Sequence, residues 1–216
     1  MKDSELKALI SLIDDDDPGV EEMVRNKLNE MGQEVLPELE QAWEQQQDEE
    51  VQNRIEDIIH SIQSRDTIME LREWRMAGGG NLLEGWLLVS KYHFPELDFE
   101  PYKNQVSRLV NKIWLEMRSG MTLPERLKVI NRMLFIKERF RPNRKGVSDP
   151  SNFYLNTLMD NKKGSPISLG MLYLVICEEL KLPMQGMILP SYFVLTYRDE
   201  KQEFFVDPFN KGSFFT

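Results

Sequence analysis

The sequence predicts an α+β protein, with an all-helical N-terminal region followed by a domain in which helices pack on a small antiparallel sheet near the C-terminus. Three observations lead there. Residues 1–74 hold 21 Asp or Glu against 7 Lys or Arg, whereas residues 75–216 hold 15 acids and 20 bases, so the charge changes sign along the chain. Apolar residues keep helical spacing to about residue 182, after which strand-like runs separated by turn residues take over. Between the two regions stands Gly78-Gly79-Gly80, a hinge or helix stop. The expected domains are therefore residues 1–77 and 78–216.

Shifting the sequence by 31 residues places Asp17 on Asp48, Val20 on Val51, Val24 on Ile55, Leu28 on Ile59 and Met31 on Ile62. This is an internal repeat of apolar positions along one helical face. The spacing predicts helices over 6–13, 20–31, 35–46 and 49–63. Asp17 is placed to cap the second, with Pro18 at its first helical position and Glu21 and Glu22 near the positive end of its dipole. Two such helix pairs, over about residues 4–64, resemble a HEAT repeat, whose stacked units present a long surface to a protein partner. Since about three units are usually needed for independent stability, the alternative is an ordinary helical subdomain packed on the C-terminal half. The acid run Asp14–Asp17 lacks the alternating ligands, central Gly and distal Glu of a calcium loop and reads as a solvated turn.

Beyond the glycines, residues 82–92 form a strongly apolar helix. Val106, Leu109, Val110, Ile113, Trp114 and Met117 mark one face of a second. Leu127, Ile130, Leu134 and Phe135 mark a third, started by Thr122 and Pro124. Residues 102–145 carry 12 Lys or Arg and 3 acids. Basic residues interleaved with aromatics suit nucleic acid, but no nucleic-acid motif accompanies them and the chain as a whole carries a net charge of -9. A solvated face, or one docked on the acidic region, is the preferred reading, and nucleic acid is disfavoured as a partner.

Leu169, Leu172, Tyr173, Ile176 and Leu180 follow helical spacing from Pro166 to a stop at Leu182-Pro183. Strand-like runs follow over 184–189, 192–197 and 203–206, the last two joined by a polar turn from Arg198 to Lys201. The chain ends with two aromatics, Phe214 and Phe215. The tail either packs on the sheet or leads into further chain.

The segment Asp149-Pro150-Ser151-Asn152-Phe153-Tyr154-Leu155-Asn156, then Gly164-Ser165-Pro166-Ile167-Ser168-Leu169-Gly170-Met171-Leu172-Tyr173, then Pro190-Ser191-Tyr192-Phe193 and Phe205-Val206-Asp207-Pro208-Phe209 form an ordered set. The set resembles the transglutaminase-like domain of the bacterial SirB-one family, from about residue 82 onward. In the wider superfamily, a Cys at the helix start, a His on the next strand and an Asp on the strand after it form a hydrolase or acyl-transfer triad. The resemblance puts Ser168 in the nucleophile region, Tyr192 at the His position and Asp207 at the Asp position. An alternative register sets Pro166 at the nucleophile and leaves none. Asn152 and Asn156, ahead of the helix, are turn anchors on one reading and substrate-binding contacts on the other.

A nucleophile at a helix N-terminus gains from the local positive potential, a His takes its proton, and an Asp orients the ring. Tyrosine, with a reference pKa of about 10, is a poor base at neutral pH. Without a base the serine is inert, while Asp207 keeps a use as an acceptor of backbone N–H groups or of the Tyr192 hydroxyl. Cys177 falls in the helix interior as a small core residue. Neither His60 nor His93 occupies the triad position, and the two offer no metal-ligand spacing, so no metal or other cofactor is expected. The sequence thus reads as a non-catalytic transglutaminase-like protein that binds a protein or peptide partner. The alternative is an amide or peptide hydrolase, or an acyl transferase, with an altered Ser168-Tyr192-Asp207 triad. A single cysteine, a start without an apolar leader and no run of about 20 apolar residues point to the cytoplasm rather than a membrane.

Overall fold

In a computed structural model that describes residues 2–145, 149–189, 192–200 and 203–215, the sequence repeat is visible first as a pair of helix caps. Asp17 Oδ1 accepts a hydrogen bond from Gly19 N at 2.8 Å at the start of α2 (Pro18–Met31). Asp48 Oδ1 does the same for Glu50 N at 2.8 Å and Val51 N at 3.3 Å at the start of α4 (Glu49–Met76). Each satisfies N–H groups that the first turn of a helix leaves orphaned. The other members of the two helix pairs are α1 (Lys2–Ser11) and α3 (Leu36–Gln45), the latter entered through a 3-10 turn at Gly32–Val35.

The repeated positions Val24 and Ile55 are both buried, within a core that also holds Leu9, Leu28, Leu39 and Ile62. Arg54 reaches from α4 to the carbonyls of Ile13 and Asp15 at 3.3 and 3.0 Å, holding the turn after α1. α4 runs well past residue 63 because no Gly or Pro interrupts it before Gly78. Positive φ at Gly78 and Gly79 then ends it, and Trp74 Nε1 donates to Gly80 O at 2.6 Å. The chain divides into two compact units, Met1–Glu70 and Leu71–Thr216. The division falls inside α4, ahead of the glycines.

In the second unit α5 (Leu82–His93), α6 (Phe99–Glu116) and α7 (Leu123–Asn131) start at the side-chain caps Asn81, Asp98 and Thr122. Thr122 and Glu125 form a reciprocal capping box, and the bonds from the Thr122 N–H and hydroxyl hold the Glu125 carboxyl below its ordinary range. A π-helical stretch, Arg132–Lys137, continues α7. Trp114 departs from the expected buried face. At 100° per residue it sits about 80° round α6 from Val106, off the stripe of Val106, Leu109 and Ile113, and it is 64% exposed.

α9 (Pro166–Glu179) is buried almost all round: Leu169, Leu172, Tyr173, Ile176 and Cys177 all lie in the core. Tyr173 Oη donates within that core to Leu127 O at 3.1 Å or Asn131 Oδ1 at 2.9 Å, as a buried phenol must. Four strands form an antiparallel sheet in sequence order, β3 (Gln185–Leu189), β4 (Tyr192–Arg198), β5 (Glu203–Asp207) and β6 (Ser213–Phe215), and it meets α9 mainly through β4 and β3. The last of these is the tail, which pairs Phe214 with Val206 and Phe215 with Phe205. Pro190, Ser191, Lys201 and Thr216 lie outside the described residues.

Two further features differ from the sequence reading. A short helix α8 (Leu155–Asn161) occupies what reads as loop. A two-residue parallel pair, β1 (Arg141–Pro142) with β2 (Lys163–Gly164), stands before residue 180, where no strand was expected. So short a pair has no room for an apolar alternation. It is made by Arg141 N to Lys162 O at 2.9 Å and Asn143 N to Gly164 O at 2.8 Å, and Pro142 falls between them where no donor is needed. Among the described residues, no helix is long and apolar enough to cross a membrane.

Candidate functional site

Glycines set how closely α9 meets the sheet. A Cβ on Gly170 would overlap the Phe193 ring outright, and one on Gly186 would stand 2.7 Å from its Cζ. Phe193 therefore faces α9, as do the cross-strand partners Leu195 and Val206, which are fully buried. Because successive side chains of a strand alternate faces, Tyr192 and Asp207 are out of phase with Phe193 and Val206.

Ser168 is fully buried at the first turn of α9. Its Oγ accepts from Ser165 N at 2.9 Å and lies 3.2 Å from Ser165 Oγ, while Ser168 N donates to Ser165 Oγ at 3.1 Å. This is a capping box in which serine fills the place usually held by Glu or Gln. Space around the hydroxyl is tight: a Cβ on Gly164 would stand 2.6 Å from Ser168 Oγ and 2.7 Å from Leu158 Cδ1.

Asp207 is also buried. Its Oδ1 accepts from Phe209 N at 2.9 Å and Asn210 N at 3.2 Å, and its Oδ2 accepts from Asn210 Nδ2 at 2.6 Å. The carboxylate thus shapes the 3-10 turn Pro208–Asn210. Tyr192 is 40% exposed, and its hydroxyl accepts from Asn210 Nδ2 at 3.1 Å. Asn210 thus joins two of the three expected triad positions, and the expected link between Asp207 and the Tyr192 hydroxyl runs through this amide. No hydrogen bond among the described residues connects Ser168 to either of them.

Asn152 and Asn156 part company. Asn152 is buried in a 3-10 turn, Pro150–Phe153, where its Oδ1 accepts from Asn143 Nδ2 at 2.9 Å. With Asn143 N bonded to Gly164 O, this ties the turn to β2 just before α9. Asn156 sits in the first turn of α8, correcting its reading as a loop anchor, and its buried Oδ1 has no hydrogen-bond partner among the described residues. The α8 segment is held from α5 by Trp86 Nε1 to Phe153 O at 2.8 Å and by Leu155 N to Ser90 Oγ at 3.0 Å.

Residues 100–216, more than half of the chain, match the family model described as the transglutaminase-like superfamily. The chain belongs to this superfamily. Curated relatives include a UPF0162 protein of Xylella fastidiosa, 29% identical over 131 residues that cover 61% of this chain and 47% of the relative. F-box only protein 21 of Mus musculus is 29% identical over 160 residues, 60% of this chain and 26% of that protein. UPF0162 protein YchA of Escherichia coli is 24% identical over 133 residues, 61% of this chain and 49% of its own. The chain spans about half the length of the UPF0162 relatives it matches. No solved structure matches it. The residue beside the expected site positions that sequence reasoning missed is Asn210, which bonds Asp207 and Tyr192. The signal was present in Asp207-Pro208-Phe209-Asn210, where an acceptor three residues before an Asn favours a side-chain-locked turn.

Proposed function

We propose that this chain is a non-catalytic member of the transglutaminase-like superfamily, of the SirB-one branch, acting as a protein- or peptide-binding module with a HEAT-like N-terminal region. The observation that carries the reading is the Ser168 hydroxyl, which is buried and engaged in the cap of α9. An acyl acceptor needs an open approach and a base within hydrogen-bond reach, and among the described residues Ser168 has neither. Burial raises the pKa of the Cys177 thiol far above its ordinary value, which removes the thiolate needed for attack. A similar segment makes up a quarter of the mouse F-box only protein, which supports a module carried within longer proteins. The altered-triad alternative would need Ser168 freed from Ser165 and brought to Tyr192.

The test is labelling of the protein with a fluorophosphonate and with iodoacetamide, alongside turnover of amide and glutamine substrates. The expected result is no turnover and no label on Ser168 or, in the folded protein, on Cys177. Labelling at Ser168 that disappears in Ser168→Ala, with turnover lost in the same variant, refutes the proposal.

A further inference from the structure

At the C-terminal end of α6 the second unit presents a groove of about 620 Å³ whose lining includes Trp114, Leu115, Arg118, Arg126, Glu179 and Lys181. Its apolar part is unusual for a free surface, with Trp114 64% and Leu115 74% exposed. A tryptophan can bury about 150–250 Å² on contact, and tryptophan and arginine are the side chains that most often anchor an interface. Its charged part is unbalanced. Arg118, Arg126 and Lys181 form no ion pair among the described residues, and one carboxylate, Glu179, stands among them. Next to the groove the pattern is reversed, since Glu116 pairs with both Arg132 and Lys137. Three cations without an acidic partner among the described residues therefore line the groove beside the exposed tryptophan.

We infer that this groove binds an acidic peptide segment that carries a bulky apolar side chain, the apolar group resting on Trp114 and Leu115 and the carboxylates on Arg118, Arg126 and Lys181. A guanidinium reads a carboxylate through paired N–H donors, and opposite potentials across a contact speed encounter and fix register. Nucleic acid fits less well. A phosphate backbone calls for an extended run of cations, whereas here Glu179 lies within the lining and Glu116 neutralises the neighbouring pair. The inference rests on the reading of the chain as a binding module and can fail separately from it.

The experiment is selection of a random-peptide phage library on the immobilised full chain at low salt. Synthetic versions of the enriched peptides are then titrated against wild type, Trp114→Ala and Arg118→Glu, with melting curves confirming that both variants fold. The expected result is peptides rich in Asp and Glu around one bulky apolar residue, whose affinity falls about 10-fold or more in each variant and falls with added salt. Enriched peptides without an acidic excess, or peptides that bind both variants as they bind wild type, overturn the inference and leave the binding-module reading standing. Failure to enrich any peptide overturns both. A poly(dT) probe that binds more tightly than the peptides and loses affinity in the same two variants assigns the groove to nucleic acid and overturns the inference.

Discussion

Replacing Ser168 by Ala deletes the acceptor that Ser165 N holds at 2.9 Å and the partner that Ser165 Oγ holds at 3.2 Å. Both partners are buried, so no water replaces them. Leaving a buried backbone donor unmet costs about 1–3 kcal/mol, and loss of a capping interaction costs about 0.5–2 kcal/mol. The two figures describe one event, so the expected loss is about 1–3 kcal/mol, or several degrees in Tm for a chain of this size. Urea unfolding followed by tryptophan fluorescence reads the loss through Trp86, which is buried in the second unit. Ser165→Ala removes the other half of the same box, so the double variant costs less than the two singles combined, by about 0.5–2 kcal/mol. A poised nucleophile behaves differently, because functional groups are commonly held at some expense of stability and their removal is neutral or favourable. A Ser168→Ala protein as stable as wild type, with the two serines additive, refutes the capping argument.

Gly170→Ala should destabilise by about 1–3 kcal/mol through overlap with the Phe193 ring, while Gly80→Ala, with open space around its Cβ position, should change stability by less than about 0.5 kcal/mol. If Phe193→Leu fails to restore stability to Gly170→Ala, the overlap is not the cause. Cys177, whose pKa burial raises, should stay inert to a chromogenic disulfide reagent at mildly alkaline pH and react only as urea unfolds the chain. Reaction at the native rate of a free thiol counts against the buried assignment. Glu125 is held below its ordinary value of 4.5 by Thr122, and Glu116 by Lys137 and Arg132. Their stabilisation is therefore complete above about pH 4.5 and lost as pH falls through the lowered midpoints. Carboxyl NMR titration should place both midpoints below 4.5, and midpoints at or above that value contradict the bonding described.

What could be read from the sequence was what local chemistry decides. Asp17 and Thr122 announce their helices because a short oxygen-bearing side chain ahead of an apolar period has few other uses. The runs that became β3, β4 and β5 alternate between turn signals. Ser165 and Ser168 carry the spacing of a capping box just before an apolar run, with serine in the place that Glu or Gln usually marks. What could not be read was decided by distant partners. α8 has no side-chain cap and ends at Lys162 in the left-handed region, both poor signals. β1 and β2 amount to two residues each, and β6 is a strand because β5 is there to pair with it. Trp114 looked like core because a count of apolar residues includes it, although its angle sets it off the stripe of Val106, Leu109 and Ile113. The turn bond of Asn210 to Asp207 is local and legible, whereas its bond to the Tyr192 hydroxyl depends on a residue 18 positions earlier.

The alternation of β4 and β5 bears on anyone who would build a hydrolase from this scaffold. Installing His at 192 and Cys at 168 supplies the right atoms in the wrong phase, since the side chain that β4 turns toward α9 belongs to Phe193. Slipping β4 by one residue would bring position 192 round, but a one-residue slip turns every side chain of the strand over. It would also pull Phe193 from a seat that two glycines, Gly170 and Gly186, keep clear for its ring. On the proposed non-catalytic reading, the step from this scaffold to an acyl transferase is one of register, and substitutions at the expected triad positions alone leave it uncrossed.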